Sequence, residues 1–122
     1  MSLITIDFET YYTDKDLGFK TQTTEEYIRD PRFKAFGMGW KWMDGEVESE
    51  PEWVSHDELD AFFQSVDWSR TAVLAHNAQF DVAILSWIYG VHPPFIFDSL
   101  SMARALRGVE AGNKLEIGRA HV

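Results

Sequence analysis

The sequence lacks cysteine, long apolar runs and an excess of positive charge, and each absence excludes a class of protein. Without cysteine the chain has no disulfide and no thiolate metal site, and a reducing cytoplasm suits it. No apolar run approaches the roughly 20 residues of a membrane span, and no basic segment followed by an apolar one marks a signal peptide. We therefore expect a cytoplasmic protein with no membrane partner.

Positive charge is also scarce, because 11 basic residues face 20 acidic ones and the formal net charge is -9. This balance disfavours a protein that binds nucleic acid or membranes by charge attraction alone. It is compatible with a nucleic-acid enzyme, since bound metal ions can carry positive charge to the phosphates.

The composition that remains is typical of one folded domain. The chain has 122 residues, of which 45% are hydrophobic and 15% aromatic. Three predicted strands form a hairpin arrangement, and helix, strand, helix, strand and helix follow. This order predicts an α/β fold with a mixed sheet, in which an antiparallel three-strand meander joins parallel strands and helices flank the sheet. The predicted strands cover 3–10, 33–43, 46–52, 71–75 and 95–97, and the helices begin after Thr23, Ser55, Asn77 and Asp98.

The first strand carries the first candidate site. Ile4, Ile6 and Phe8 alternate with polar residues, so they share one face of the strand. The opposite face carries Asp7 and Glu9, roughly 6–7 Å apart along the strand. Two like charges at this spacing are costly unless a cation lies between them, which favours a divalent metal ion. A solvent-facing acidic strand end is the alternative interpretation.

The second strand carries alternating aromatic residues and glycines. The pattern predicts that Phe36, Met38, Trp40 and Trp42 share one face, and that Gly37 and Gly39 on the other allow another element to approach closely. Asp44–Gly45 is typical of a hairpin turn, and the charged return strand 46–52 with Pro51 is typical of a sheet edge.

The second candidate site lies where the buried strand 71–75 leads into a helix. Asp81 falls in the first turn of that helix, where the helix dipole favours an ionised carboxylate. The apolar stripe predicted for this helix is formed by Phe80, Ala83, Ile84, Trp87 and Ile88. If its strand lies beside the first one, Asp81 meets Asp7 and Glu9, and three carboxylates suit Mg²⁺ or Mn²⁺. An acid in a first helical turn also occurs without any function.

These segments resemble a known family. DFET at 7–10, HNAQFD at 76–81 and FDSLSMARAL at 97–106 are similar to the first two motifs, and the segment after them, of the DEDD (DnaQ-like) 3′–5′ exonucleases. The stretch 27–40 resembles the second strand of the proofreading domains at the N-terminus of phage-type family A DNA polymerases. The resemblance covers most of residues 3–107.

The resemblance implies an RNase H-like fold and two-metal hydrolysis of the 3′-terminal nucleotide of single-stranded DNA. It implies that Asp7, Glu9 and Asp81 are the catalytic metal ligands for two Mg²⁺ or Mn²⁺ ions. The partners it implies are a single-stranded 3′ end and a polymerase domain in the same full-length chain, in the cytoplasm of a bacterium or a phage-infected host cell.

The resemblance also implies which residues contact the substrate. Thr10 and Asn77 would contact the terminal nucleotide or its phosphate. His76 and Phe80 are further candidates, although a structural hydrogen bond would explain His76 and core packing would explain Phe80. Asp98 is explained by a helix-capping role.

The family's third motif, which supplies a fourth acid and a water-orienting Tyr or His, is missing from this chain. The last seven residues, EIGRAHV, are what translation of a common sequencing adapter produces, apart from its first base. We expect the exonuclease domain to cover 1–115, cut short before the third motif, and 116–122 to be a non-native tail. On this interpretation the intact gene product hydrolyses DNA, whereas the chain as given is inactive or weak.

Two other functions fit the sequence. One is a different RNase H-like nuclease, such as an RNA-trimming enzyme, since no residue decides between DNA and RNA. The other is a non-catalytic nucleic-acid-binding module on the same scaffold, against which the joint presence of Asp7, Glu9 and Asp81 argues.

Overall fold

Strands and helices alternate along the second half of the chain, after an antiparallel first half. The computed structural model describes residues 1–109, so the predictions for 110–122, including the tail at 116–122, lie outside the described residues. The strands are β1 (Ser2–Thr10), β2 (Ala35–Asp44), β3 (Val47–Glu48), β4 (Glu52–Ser55), β5 (Thr71–Ala75) and β6 (Phe95–Asp98). The helices are α1 (Thr24–Arg29), α2 (Leu59–Gln64), α3 (Ala78–Trp87) and α4 (Ser99–Val109), with 3-10 turns at His56–Glu58 and Trp68–Arg70.

One mixed sheet contains every strand of this part of the chain. Its order is β3-β2-β1-β5-β6. β4 pairs directly with β2, on the same side as β3 and along a different part of the strand. β1 pairs with β2 antiparallel, whereas β1 with β5 and β5 with β6 are parallel. The predicted α/β class, with an antiparallel meander, parallel strands and flanking helices, is confirmed. None of the helices in residues 1–109 is long and apolar enough to cross a membrane.

The core lies on one face of β1. Ile4, Ile6 and Phe8 are buried there, as their alternation predicts, and Asp7 and Glu9 are exposed on the opposite face. Aliphatic side chains from β5 and α3 complete the core around them, including Val73, Ile84 and Leu85. Burying each such side chain stabilises the fold by about 1.5–3 kcal/mol, so the strand's orientation is strongly determined.

The capping boxes predicted at Thr23 and Ser55 have different outcomes. The Thr23 hydroxyl accepts from the Glu26 N–H at 3.2 Å, and the Glu26 carboxylate accepts from the Thr23 N–H at 2.9 Å, which confirms the first capping box. The second prediction was wrong, because the Ser55 hydroxyl donates to the Glu58 carboxylate instead of accepting a backbone N–H. Ser55 is still paired with Gly37 in the sheet, and the chain passes through a 3-10 turn before α2 begins.

The antiparallel part of the sheet corrects two further predictions. A β-bulge lies where the partners of Glu9 and Thr10 change from Gly37 to Ala35, and it leaves Phe36 47% exposed instead of beside Met38. The return strand is interrupted around Pro51, which has no N–H to donate to β2. Its longer piece, Glu52–Ser55, lies after the proline.

The glycine prediction holds for Gly37 alone. A Cβ atom built on Gly37 would overlap the indole ring of Trp53 and lie 2.5 Å from the carbonyl oxygen of Val54. The nearest neighbour of a Cβ on Gly39 is the carbonyl oxygen of Asp7 at 3.8 Å, an ordinary contact. Close approach therefore requires glycine only at position 37.

This difference makes the two glycines a matched pair for mutagenesis. We expect Gly37→Ala to lower the free energy of unfolding by about 1–3 kcal/mol, because the methyl group must displace Trp53 and strain the pairing of β2 with β4. Gly39→Ala is expected to change it by less than about 0.5 kcal/mol. Urea unfolding followed by circular dichroism measures both, and equal stability of the two variants would contradict the expectation.

Candidate active site at the end of the first strand

The first two acidic residues lie on the exposed face of β1. Asp7 is opposite Gly39 of β2, and Glu9 is opposite Gly37. Neither glycine contributes a side chain opposite these carboxylates, although the Trp53 indole ring covers Gly37, and both carboxylates are exposed. Both are therefore open to a ligand that approaches this face.

The third acidic residue is held against the backbone of the same strand. The parallel pairing of β1 with β5 ends at Thr5 and Leu74, so the strands part before Phe8. The N–H of Phe8 donates to Oδ1 of Asp81 at 3.2 Å. Phe8 lies between Asp7 and Glu9 in the sequence, so this bond brings Asp81 to the strand segment that carries both acids.

Asp81 is a buried carboxylate, with only 4% of its surface exposed. Burial raises its pKa to about 7, the N–H of Phe8 opposes this shift, and the negative charge of Asp7 adds to it. Asp7 and Asp81 therefore repel each other when both are ionised, and a cation between the two carboxylates would remove this repulsion. At neutral pH Asp81 therefore takes up or releases a proton easily.

The helix that carries Asp81 is turned differently from its predicted orientation. Ala78, Asp81, Ile84 and Leu85 form its buried face, whereas Trp87 and Ile88 are largely exposed. The predicted stripe was therefore wrong at Trp87 and Ile88, whereas Ile84 is buried and Phe80 and Ala83 are half-buried and pack against the core. An apolar pattern cannot reveal this face, because one of its positions is a carboxylate.

The residue before α3 has an unusual backbone. Asn77 lies in the left-handed region, with φ 70° and ψ 61°, which asparagine tolerates better than most residues. Its N–H donates to Oδ1 of Asp98 at 3.0 Å, and its side chain does not cap the helix. The exposed amide side chain therefore stands at the strand-to-helix junction four residues before Asp81.

Asp98 joins the N-termini of two helices. Its Oδ1 accepts the N–H of Asn77 before α3 and the N–H of Leu100 in α4, each at 3.0 Å. Desolvation alone would raise the pKa of Asp98, but the backbone N–H groups around it together lower that pKa. The predicted capping role is confirmed, and the bond to Asn77 extends it to the second helix.

His76 and Thr10 both make hydrogen bonds inside the protein. Nδ1 of His76 lies 3.0 Å from the hydroxyl of Ser99 at the start of α4. The Tyr27 hydroxyl lies 2.8 Å from Oγ1 of Thr10 and 2.6 Å from the carbonyl oxygen of Tyr11. Tyr27 thus fixes the end of β1 immediately after Glu9, and His76 is exposed.

Phe80 is half-buried in an aromatic cluster. Its ring is parallel to that of Tyr27, with centroids 6.0 Å apart, and meets Phe19 edge-on at 5.0 Å. The predicted core packing is therefore observed, although Phe80 also lines a largely apolar cavity of about 260 Å³. Thr10 lines the same cavity, so two of the predicted substrate contacts border one space beside β1.

The donor chemistry of this site suits a hard divalent cation. Asp7, Glu9 and Asp81 offer only carboxylate oxygens, which Mg²⁺ and Mn²⁺ prefer. In the described residues, no three acidic or histidine side chains are placed as a closed ligand group. The fit therefore consists of oxygen donors along one strand segment and a buried carboxylate whose repulsion from Asp7 a cation would relieve.

Two features of the site were missed by sequence reasoning. Tyr27 was predicted only as part of a short helix, and its bond to Thr10 joins residues 17 positions apart. The Phe19–Tyr27–Phe80 cluster was also missed, because its members come from a loop and two helices. The high aromatic content was the one available signal, and it does not specify partners.

The raised pKa of Asp81 gives a testable dependence of stability on pH. Ionising Asp81 costs the folded state stability as pH rises from 3.8, its ordinary pKa, to about 7. We expect Asp81→Asn to match the parent at pH 4 and to exceed its unfolding free energy at pH 8 by up to about 4 kcal/mol. Urea unfolding at both pH values measures this, with the exposed Asp57→Asn as control. A variant less stable than the parent at pH 8 would contradict the assignment.

Comparison with known proteins indicates no function for this chain, so its function must be inferred from the geometry of the site. The chain matches no protein-family model, no curated protein and no solved structure. The site consists of two exposed carboxylates on one strand, a buried carboxylate that accepts the N–H of the residue between them, and an apolar cavity beside the strand.

Proposed function

We propose that this chain is the exonuclease part of a 3′–5′ exonuclease that removes nucleotides from single-stranded DNA ends. The observation that carries the proposal is the bond from the Phe8 N–H to buried Asp81. It joins the two separated motifs, Asp7-x-Glu9 and the acid of the α3 turn, at one point of the sheet. In this proposal the three carboxylates supply the oxygen ligands for phosphodiester hydrolysis assisted by two metal ions.

The fold supports the proposal at the level of topology. If β3 and β4 are counted as one interrupted strand, the sheet order is 3-2-1-4-5, with the first three strands antiparallel and the last two parallel to the first. This order is compatible with the RNase H-like fold that we propose for the domain. The three carboxylates lie where β1 and β5 part, the position at which open α/β sheets bind ligands.

We propose that Asp7, Glu9 and Asp81 hold two Mg²⁺ or Mn²⁺ ions. When bound, such ions generate a hydroxide nucleophile and stabilise the leaving oxygen. The chain itself contributes the ligand oxygens and their placement. Asp7 and Glu9 lie on a central strand, and the hydrogen bond from the Phe8 N–H holds the Asp81 carboxylate against that strand for binding of the same metal ions. Water is kept from Asp81 by the core around it, so its charge acts at low dielectric.

The proposed substrate contacts surround these acids. Thr10 borders the apolar cavity, whose size suits one nucleobase, and Phe80 forms part of its wall. We propose that the Asn77 amide and the exposed ring of His76 contact the terminal nucleotide or its phosphate from the strand-to-helix junction. In this proposal Tyr27 is a positioning residue, because it holds Thr10 and does not itself reach the acids.

The fourth acid and the water-orienting residue of the proposed mechanism have no candidate in the described segment. We propose that the sequence downstream of Leu115 in the source DNA supplies both, and that a polymerase domain follows in the full-length protein. On this basis we expect the chain as given to bind metal but to hydrolyse DNA slowly or not at all, since losing one member of a cooperating site can cost several orders of magnitude in rate.

Metal binding tests the first half of the proposal on the chain itself. Titration calorimetry with Mn²⁺ should detect binding that weakens at least about tenfold in Asp7→Ala, since even indirect disturbance of a metal ligand costs that much. Asp57→Ala, which removes an exposed acid from the 3-10 turn, should bind as the parent does. Equal binding by both variants would favour the non-catalytic module.

Hydrolysis tests the second half. The chain extended through its downstream sequence should shorten a 5′-labelled single strand stepwise from its 3′ end in Mg²⁺, and stop in EDTA. Asp81→Asn should lower the rate by roughly a thousandfold or more, because the acids act as a unit. A circular single strand should stay intact. Cutting of the circle, or trimming of RNA alone, would overturn the proposed substrate.

A further inference from the structure

The exposed face of the sheet contains a shallow trough beside the carboxylates. Asp7, Gly39 and Trp53 are aligned across β1, β2 and β4, and Glu9, Gly37 and Ser55 form the next row. The two glycines leave the middle strand without side chains on this face. Backbone is therefore partly exposed at Gly39, between Asp7 and Trp53, whereas the Trp53 indole ring extends back over Gly37, the residue opposite Glu9. The backbone of Trp53 is two strand spacings, or roughly 10 Å, from β1.

Trp53 forms the far wall of the trough and is 53% exposed. Its indole ring lies against Gly37, where any side chain would displace it. The ring is therefore held against the sheet while about half of the side chain stays accessible, which is the arrangement that stacking of a base requires.

The β-bulge brings two more aromatic rings to the same end of the trough. Phe36 is turned out of the core at the bulge opposite Glu9 and Thr10. Its ring meets that of Tyr11 edge-on, with centroids 6.1 Å apart. Trp53, Phe36 and Tyr11, which we call the aromatic track, thus follow the margin of the trough next to Glu9.

Positive charge flanks this track in an otherwise acidic chain. Nζ of Lys34 lies 5.9 Å from the centre of the Phe36 ring. At the other end, Lys41 lies opposite Thr5 on the same face and pairs with Glu48. The charge of Lys41 is thus shared with Glu48, so Lys34 is the cation beside the track that suits a phosphate, and the rings suit stacked bases.

We propose that the aromatic track binds the bases of a single strand immediately upstream of the nucleotide held by the carboxylates. The inference rests on the proposed function for the location of the 3′ end, and it adds the path of the strand. Stacking on Trp53 and Phe36 accepts every base, because all bases have a π face. The track thereby gives affinity without sequence preference and lets the strand advance after each cleavage.

Binding without metal tests the track separately from hydrolysis. The full 122-residue chain is titrated into fluorescein-labelled (dT)₈ in EDTA at low salt, and anisotropy gives the affinity. We expect Trp53→Ala to weaken binding about tenfold, the effect of losing one stacked base. Trp87→Ala removes a similarly exposed tryptophan of α3 that packs on Arg29 and is not part of the track, and it should bind as the parent does. Trp53→Phe should retain most of the affinity.

A second measurement uses the unmodified protein. An eight-residue strand of abasic sites carries the same phosphates as (dT)₈ and should bind the parent at least about tenfold more weakly, because it has no bases to stack. Equal binding of the two strands, or equal effects of Trp53→Ala and Trp87→Ala, would overturn the track. A parent that binds neither strand would overturn it as well.

The outcomes separate this inference from the proposed function. If the protein binds no Mn²⁺ and hydrolyses no DNA but still binds (dT)₈ more tightly than the abasic strand, the exonuclease is refuted and the track stands. Hydrolysis that is normal, with binding unaffected by Trp53→Ala, would refute the track alone. A Trp53→Ala variant that changes oligomeric state in size-exclusion chromatography, and not (dT)₈ affinity, would identify the face as a protein contact instead.

Discussion

The hydrogen bond from the Phe8 N–H to Asp81 is the interaction on which the rest of this structure depends. Where β1 and β5 part, the backbone of β1 loses its partner strand, and an unpaired buried N–H would cost about 1–3 kcal/mol. A carboxylate from the first turn of α3 accepts that N–H. The same contact ties the helix to the sheet and brings an acid to the strand that already carries two. The Asp81 side chain therefore has a structural role, as acceptor of the Phe8 N–H, and is also a candidate metal ligand.

This double role has an energetic consequence. A buried acid raises its pKa unless a charge-compensating partner is present, and here the nearest charge is another acid. An asparagine would satisfy the Phe8 N–H without that cost. The presence of aspartate at this position is consequently a stronger indication of a ligand than either exposed acid is, because exposed acids carry little penalty.

Much of the fold could be predicted from local pattern. The alternation in β1, the capping box at Thr23 and the apolar run of β5 each depend on neighbours in sequence, and each was confirmed. The mixed sheet followed from their order. The bulge at Phe36 and the break around Pro51 were not predicted, because both depend on how β2 matches its partners across the sheet. Periodicity in one strand does not contain that register.

The site was predictable in its acids and less so in its surroundings. Asp7, Glu9 and Asp81 were expected to converge if β1 and β5 were neighbours; those strands do pair, and in the described residues the three acids do not form a closed ligand group. The orientation of α3 was wrong at its exposed end, Trp87 and Ile88, since the buried face includes the acid itself. Tyr27 and Trp53 act through partners distant in sequence, Thr10 and Gly37, so only the folded chain reveals them.

The break around Pro51 gives the two edges of the sheet different character. On the β3–β4 side, a proline, short strands and acidic residues protect the edge against pairing with another chain. On the opposite side, β6 presents Phe95, Ile96 and Phe97, each exposed and none charged. In the described part of the chain, unwanted strand addition is thus opposed at one edge only. Changes made to improve behaviour at high concentration belong on β6, away from the carboxylates and the trough.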